Sequence, residues 1–137
     1  MSLFNVFDIA GSAMSAETVR LNVTASNLAN AQSVGPSENA TYHARHPVFS
    51  AVIKSLQGGP GNYGVAVDGI VESQGPLEQR YQPEHPMANE EGYVYMPNVN
   101  IVDEMANMIS ASRAYQSNVE VLNTSKQMML ATLKLGQ

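Results

Sequence analysis

The chain has 137 residues, of which 44% are hydrophobic and 14% are charged, and its formal net charge at pH 7 is −5. This acidic balance, with the few Lys and Arg residues scattered, argues against nucleic-acid binding, which needs a basic patch. The absence of cysteine excludes disulfide bonds, thiolate catalysis and cysteine-ligated metal sites.

The first predicted element is a helix over residues 3–33, ended by Gly35-Pro36. Large apolar side chains recur in it every seven residues, at Phe7, Met14, Leu21 and Leu28. A second line with the same period holds mostly smaller residues: Ile9, Ala16, Val23 and Asn30. A seven-residue repeat favours a left-handed supercoil with a partner helix.

The middle segment, residues 36–99, is rich in Gly and Pro. Short alternating apolar runs predict β-strands at 65–71, 77–81 and 92–96, and turn signals separate them at 58–61, 74–76 and 83–86. The stretch leading to Pro47 is predicted to be extended. This segment is too small for a rich core of its own.

The last predicted element is a helix over residues 100–135, capped by Asn98 or Asn100 and with Asp103 and Glu104 near its positive end. Its apolar side chains again recur every seven residues, at Ile101, Met108, Tyr115, Leu122 and Met129. From residue 128 to 135 apolar residues surround the helix, as in a helix buried on several sides.

These elements predict a mainly α fold with a small β part, in which the terminal helices pair as a coiled coil. We expect three segments, 1–35, 36–99 and 100–137, with the first and last packed together as one unit. The helices would be about 45 Å and 54 Å long, whereas a compact chain of this size has a radius of gyration of about 14 Å. Other subunits are therefore expected to cover their apolar seams.

Candidate interface residues follow from these patterns. The apolar seam within and between subunits is predicted to contain Phe7, Met14, Leu21, Leu28, Met105, Met108, Tyr115, Val119, Leu122 and Met129. Buried Asn amides that must find hydrogen-bond partners penalise a slip of one helix along another. The residues predicted to face a neighbouring subunit and fix its register are Asn27, Asn30, Arg113, Gln116 and Asn118.

The sequence contains no convincing set of catalytic or metal-binding residues. His43 and His46 are three residues apart in an extended segment, so they point to opposite faces and make a poor zinc pair. The glycines at 58–61 lack the GK[ST] of a phosphate-binding loop. Asp68 and Glu72 lack a neighbouring His or Arg that would orient an acid–base pair. The sequence predicts no enzyme activity, no cofactor and no metal.

Membrane insertion is not expected either. The apolar runs are far shorter than the roughly 20 residues of a spanning helix, and the Met-rich last helix lacks the cationic face of a membrane-surface helix. The N-terminus has no basic and apolar signal regions, so we expect no cleaved signal peptide. A protein–protein seam is the better interpretation of the Met-rich face.

The chain resembles bacterial flagellar rod and hook proteins over essentially its whole length. The resemblance is carried by RLNVTASNLANAQSVG, by GVAVDGIVESQGPLEQRYQPEHP and most specifically by EMANMI, SRAYQSN and LNTSKQM. It implies a structural subunit of the proximal rod, which transmits torque across the periplasm from motor to hook. It also implies export by the flagellar type III apparatus and assembly with copies of itself and with rod proteins of the FlgB, FlgF and FliE types.

Two alternatives stay open at this point. The first is another flagellar axial subunit of the rod or hook type, which length and the middle segment would distinguish. The second is a helical cytosolic adaptor, which would show the heptads but would not need the amide-rich face. A small hydrolase would depend on His43, His46 or His85, and we expect little effect from changing them.

Overall fold

The computed structural model describes residues 3–54 and 62–135. Helix α1 spans Leu3–Asn30, and helix α2 spans Ile101–Leu135. Between them lie strands β1 (Arg45–Lys54), β2 (Asn62–Glu72), β3 (Glu78–Tyr81) and β4 (Tyr93–Met96), preceded by a short 3-10 helix at Glu38–Ala40. The prediction of a mainly α fold with a small β part is confirmed.

Helix α1 ends three residues before the predicted boundary, because a turn closes there. The backbone N–H and hydroxyl of Ser33 both donate to the carbonyl of Asn30, at 3.0 Å and 2.8 Å. Helix α2 begins one residue later than predicted. Its cap is Asn100, whose side-chain oxygen accepts a hydrogen bond from the Val102 N–H at 3.0 Å.

Strands β1 and β2 form an antiparallel hairpin in which Arg45 lies opposite Glu72 and Lys54 opposite Asn62. A β-bulge interrupts the register between Val48 and Phe49. For β1 only an extended segment before Pro47 was predicted, and β2 is longer than the predicted run at 65–71. The predicted turn at 58–61 lies outside the described residues.

The second sheet also has two strands, with Glu78 opposite Met96 and Tyr81 opposite Tyr93. Gly35, just after α1, forms an isolated bridge with Tyr95, with hydrogen bonds of 3.0 Å in both directions. This bridge holds the end of α1 beside the strand that leads into α2. The two helices therefore start their contact at this end of the molecule.

Helices α1 and α2 pack against each other, and the hairpin packs on α1. Arg20 donates a hydrogen bond to the side-chain oxygen of Asn107 at 3.1 Å, which joins the second half of α1 to the first turns of α2. This contact, together with the bridge at Gly35, indicates an antiparallel pair. Since α2 is longer, roughly its last ten residues extend beyond the start of α1, about 15 Å at 1.5 Å per residue.

The buried seam between these elements consists mainly of small side chains. On α1 the buried residues are Ala10, Ala16, Val23, Thr24 and Asn27, and on α2 they are Glu104, Ala111 and Ser125. Small residues let two helix backbones approach closely, so this buried seam contributes to the packing inside the chain. Ala16 and Val23 belong to the predicted second line of α1.

Candidate functional site: the junction and the outer surfaces

The junction of helices and hairpin is held by the amide of Asn27. Its Nδ2 donates to the backbone carbonyl of Arg45 at 2.8 Å, and its Oδ1 accepts from the Arg45 N–H at 2.9 Å and from the Tyr42 hydroxyl at 2.8 Å. The Asn27 side chain is completely buried. On the edge of β1 that faces away from β2, the amide takes the place of a neighbouring strand for the first residue of β1. It can do so because a side-chain amide offers the same kinds of donor and acceptor as a peptide group.

This geometry corrects the prediction that Asn27 faces a neighbouring subunit. The side chain is fully buried, and its amide makes three hydrogen bonds inside the chain, so a neighbouring subunit does not reach it. The hydroxyl that bonds to Asn27 belongs to Tyr42, and the pKa of this phenol is raised, mainly by burial. The Arg45 cation lowers the pKa, and the Glu104 and Glu72 carboxylates raise it.

A second amide, that of Asn98, holds the adjacent residue of the same segment. Its Oδ1 accepts from the Ala44 N–H at 2.8 Å, and its Nδ2 donates to the Gly75 carbonyl at 2.8 Å and lies 3.3 Å from the Ser73 hydroxyl. Asn98 is therefore not the cap of α2 but a clamp between the two ends of the hairpin and the start of α2. Together Asn27 and Asn98 fix residues 44 and 45 to the helical pair.

The predicted seam residues mostly lie at half-buried positions, so part of each side chain is still accessible. These are Phe7, Met14, Leu21, Leu28, Met108, Val119, Leu122 and Met129. Met105 and Tyr115 are exposed, by 51% and 38%. Partial burial of large side chains along both helices leaves apolar surface for contacts outside the chain.

The remaining predicted register residues differ in their surroundings. Asn30 is half-buried, and its Nδ2 donates to the Ser26 carbonyl of its own helix at 2.8 Å. Asn118 does the same with the Ala114 carbonyl at 2.9 Å. Arg113 and Gln116 are exposed. Whether these four residues contact a neighbouring subunit stays a prediction.

Apolar side chains cover much of the outer surface. The hairpin exposes Val48, Phe49, Val52, Ile53, Tyr63, Val65, Ile70 and Val71, each by 38% or more. The end of α2 that extends beyond α1 exposes Met128, Leu130 and Leu133, by 56%, 49% and 69%. Exposed apolar patches of this extent mark protein–protein contacts.

The side chains considered for chemistry serve local structure. The ring nitrogens of His43 lie 3.3 Å from the backbone carbonyls of Ser73 and Glu38, and His85 accepts a hydrogen bond from the Met87 N–H. Asp68 accepts from the Ser50 hydroxyl at 2.6 Å, and Glu72 pairs with Arg45. Among residues 3–54 and 62–135, no cluster of three His, Asp or Glu residues could hold a metal ion.

No local pattern marks Tyr42 and Arg45 as residues of the junction, and Glu104 is marked only as an acidic residue near the start of α2. Their roles arise from contacts between segments that are distant in the sequence. Neither described helix is long and apolar enough to cross a membrane.

Comparison with known proteins identifies the family. Residues 7–36 match the model described as "Flagella basal body rod protein", and residues 90–135 match "Flagellar basal body rod FlgEFG protein C-terminal". The chain is 53% identical to the flagellar basal-body rod protein FlgC of Escherichia coli O6:H1 and of Salmonella typhimurium, over 100% of both chains. It is 45% identical to FlgC of Buchnera aphidicola subsp. Schizaphis graminum, again over the full length of both. The chain therefore belongs to the FlgC family of flagellar basal-body rod proteins and is a structural subunit of the rod, not an enzyme.

Proposed function

We propose that this subunit assembles helically into the proximal rod, where it transmits torque from the motor towards the hook and filament. The observation that carries the proposal is the pair of amide clamps at residues 44 and 45, which ties the hairpin to the helices without a loose hinge. A torque-bearing shaft needs subunits that move as rigid bodies. The exposed apolar surfaces supply the contacts between them.

Burial of these surfaces would supply the free energy of assembly. Each Å² of apolar surface removed from water contributes about 25 cal/mol. The hairpin is apolar on both faces, and an isolated two-stranded hairpin is at best marginally stable in water. A neighbour that covers it would stabilise both the interface and the hairpin.

The terminal helices are proposed to form one coiled-coil unit, built from segments 1–35 and 100–137, with segment 36–99 outside it. Glu104, Ala111 and Ser125 in the buried seam support this, because they are seven and then fourteen residues apart, which are one and two heptads. The protruding end of α2 would then pack among helices of neighbouring subunits.

The proposed partners are copies of this chain and rod proteins of the FlgB, FlgF and FliE types. The rod would span the periplasm, and the flagellar type III apparatus would export the subunit. The sequence resemblance supports these assignments, since its most specific motifs lie in α2.

The test is deletion and complementation followed by imaging. A strain that lacks this chain should lose motility and stop basal-body assembly before the rod, and expression of the chain should restore both. A reconstruction of the basal body should then place its density in the proximal rod. Normal rods in the deletion strain, or density outside the rod, would overturn the proposal.

A further inference from the structure

A cleft of about 350 Å³ opens where α1, α2 and β1 meet. Its lining contains two arginines, Arg20 and Arg45, one carboxylate, Glu104, and the imidazole of His46, while Pro47 and Phe49 form an apolar wall. Glu104 is 5% exposed, whereas Phe49 is 41% exposed. The cleft is therefore a carboxylate recess beside an accessible aromatic ring.

The charges of the cleft do not cancel. Arg45 is bound through two nitrogens to one oxygen of Glu72, at 2.9 Å and 3.2 Å. Arg20 donates to Asn107 and lies 3.7 Å from the Glu17 carboxylate.

Glu104 differs from both arginines. Among the described residues, no Lys, Arg or His nitrogen lies within 4.0 Å of the Glu104 carboxylate, and no group donates a hydrogen bond to it. The Glu104 residue is buried, but its oxygens keep contact with solvent through the cleft, so a cation that enters there can reach and stabilise them. Arg20 and Arg45 each have another carboxylate as partner, so the negative charge of Glu104 is left without a cation of its own.

A cation of suitable reach lies on the opposite face of the same helix. Arg113 is nine positions after Glu104, which places it about 180° around α2 and about 13.5 Å further along the axis. It is exposed, and in the described part of the chain it forms no ion pair. Three apolar side chains, those of Val102, Met105 and Ile109, lie on the side of α2 that carries Arg113. They are exposed by 72%, 51% and 54%.

We propose that Arg113 of one copy enters this cleft in a second copy and pairs with Glu104, while the apolar side chains that precede Arg113 cover Phe49. The proposal rests on the proposed function and names one contact of the assembly. Because the donor and the acceptor lie on opposite faces of one helix, every copy can give one contact and receive another. Such a heterologous contact generates an open helical array where its rotation does not close into a ring.

Charge exchange in the complemented deletion strain tests the pairing. Glu104→Lys alone and Arg113→Glu alone should abolish swimming, because each puts like charges together. The double variant Glu104→Lys/Arg113→Glu should restore it. The matched control is Glu104→Lys/Arg80→Glu, since Arg80 is an exposed arginine on β3; it should not swim. Failure of the first double variant, or equal rescue by the control, would overturn the proposal.

Cross-linking tests proximity even where a charge variant folds poorly. The chain has no native cysteine, so Glu104→Cys and Arg113→Cys can be introduced together and expressed beside the parent chain, which keeps rods assembling. Within one chain the two sites lie on opposite faces of α2, so a short bis-maleimide can join them only between copies. Isolated basal bodies should give linked dimers and larger species, and Glu104→Cys/Arg80→Cys should not.

The two proposals fail in different ways. If the parent chain does not restore motility to the deletion strain, the proposed function is wrong. If it restores motility but the cysteine pair gives no linked species, the Glu104–Arg113 contact is wrong and the proposed function stands.

Discussion

The side chain of Asn27 pairs with the backbone of Arg45 as a neighbouring strand would, donating to its carbonyl at 2.8 Å and accepting from its N–H at 2.9 Å. Asn27 lies in the interior of α1, where Asn is a mediocre helix former. The cost in helix propensity is offset by two hydrogen bonds to the first residue of the hairpin. The helix thus fixes where the hairpin begins.

Removing this amide should destabilise the chain. We expect Asn27→Ala to lower the free energy of unfolding by about 1–3 kcal/mol, because it leaves backbone groups of Arg45 without partners. Urea denaturation measures the change, and hydrogen exchange at the Arg45 amide should become faster. Asn22→Ala is the control, since Asn22 is exposed on the same helix and its loss should change stability by less than about 0.5 kcal/mol. Equal effects of the two variants would show that the amide is not a clamp.

The second clamp should act together with the first. Asn98→Ala removes the acceptor of the Ala44 N–H and the donor to the Gly75 carbonyl, so we expect a loss of about 1–3 kcal/mol. Because residues 44 and 45 are adjacent, the double variant Asn27→Ala/Asn98→Ala should depart from additivity by at least about 0.5 kcal/mol. Additive losses would mean that the two amides hold the segment independently.

The helices were predictable because their evidence is local. Seven-residue apolar spacing and the stop at Gly35-Pro36 gave α1 and α2 to within three residues. The sequence left Asn98 and Asn100 as alternative caps of α2, and in the structure Asn100 supplies the cap.

The junction was not predictable, since it depends on contacts between residues far apart in the chain. Strand β1 lacks a clean alternation of apolar and polar residues, so it gave only an extended segment. Apolar side chains of the hairpin stay accessible because α1 covers only part of it. The sequence also did not show that Asn27 is buried inside the chain while Asn30 stays half-buried. That difference depends on which side of α1 the hairpin covers.

Alkaline pH should weaken the junction through Tyr42. Burial raises the pKa of its phenol above the usual 10.0, so the folded chain binds this proton more tightly than the unfolded chain. The contribution is fully present below pH 10 and is lost as the pH rises through the folded-state pKa. In addition, a phenolate could no longer donate to Asn27. Stability measured between pH 9 and 11 should fall less steeply in Tyr42→Phe than in the parent, and parallel slopes would contradict this assignment.

A glycine at the second sheet is required by both conformation and space. Gly92 has a φ of 80°, and an added Cβ would lie 2.9 Å from Tyr81 Cε2 and 3.1 Å from Pro83 Cβ. We therefore expect Gly92→Ala to cost about 1–3 kcal/mol, measured by urea denaturation. Gly69→Ala is the matched control, because nothing lies within 4 Å of its Cβ position. If Gly69→Ala is as destabilising, steric strain at Gly92 is not the cause.

A variant at Asn30 can test assembly without a large change in stability, whereas a variant at Asn27 changes the stability of the chain itself. Its amide is half-buried and bonds only within its own helix, to the Ser26 carbonyl. Replacement by Ala, the best helix former, should leave the free energy of unfolding unchanged or raise it by about 0.5 kcal/mol. If Asn30 fixes the register of a neighbouring subunit, the same variant should form fewer rods and swim more slowly. The pair of measurements is urea denaturation of the purified chain and swimming of the complemented deletion strain. Full motility together with unchanged stability would remove Asn30 from the set of register residues.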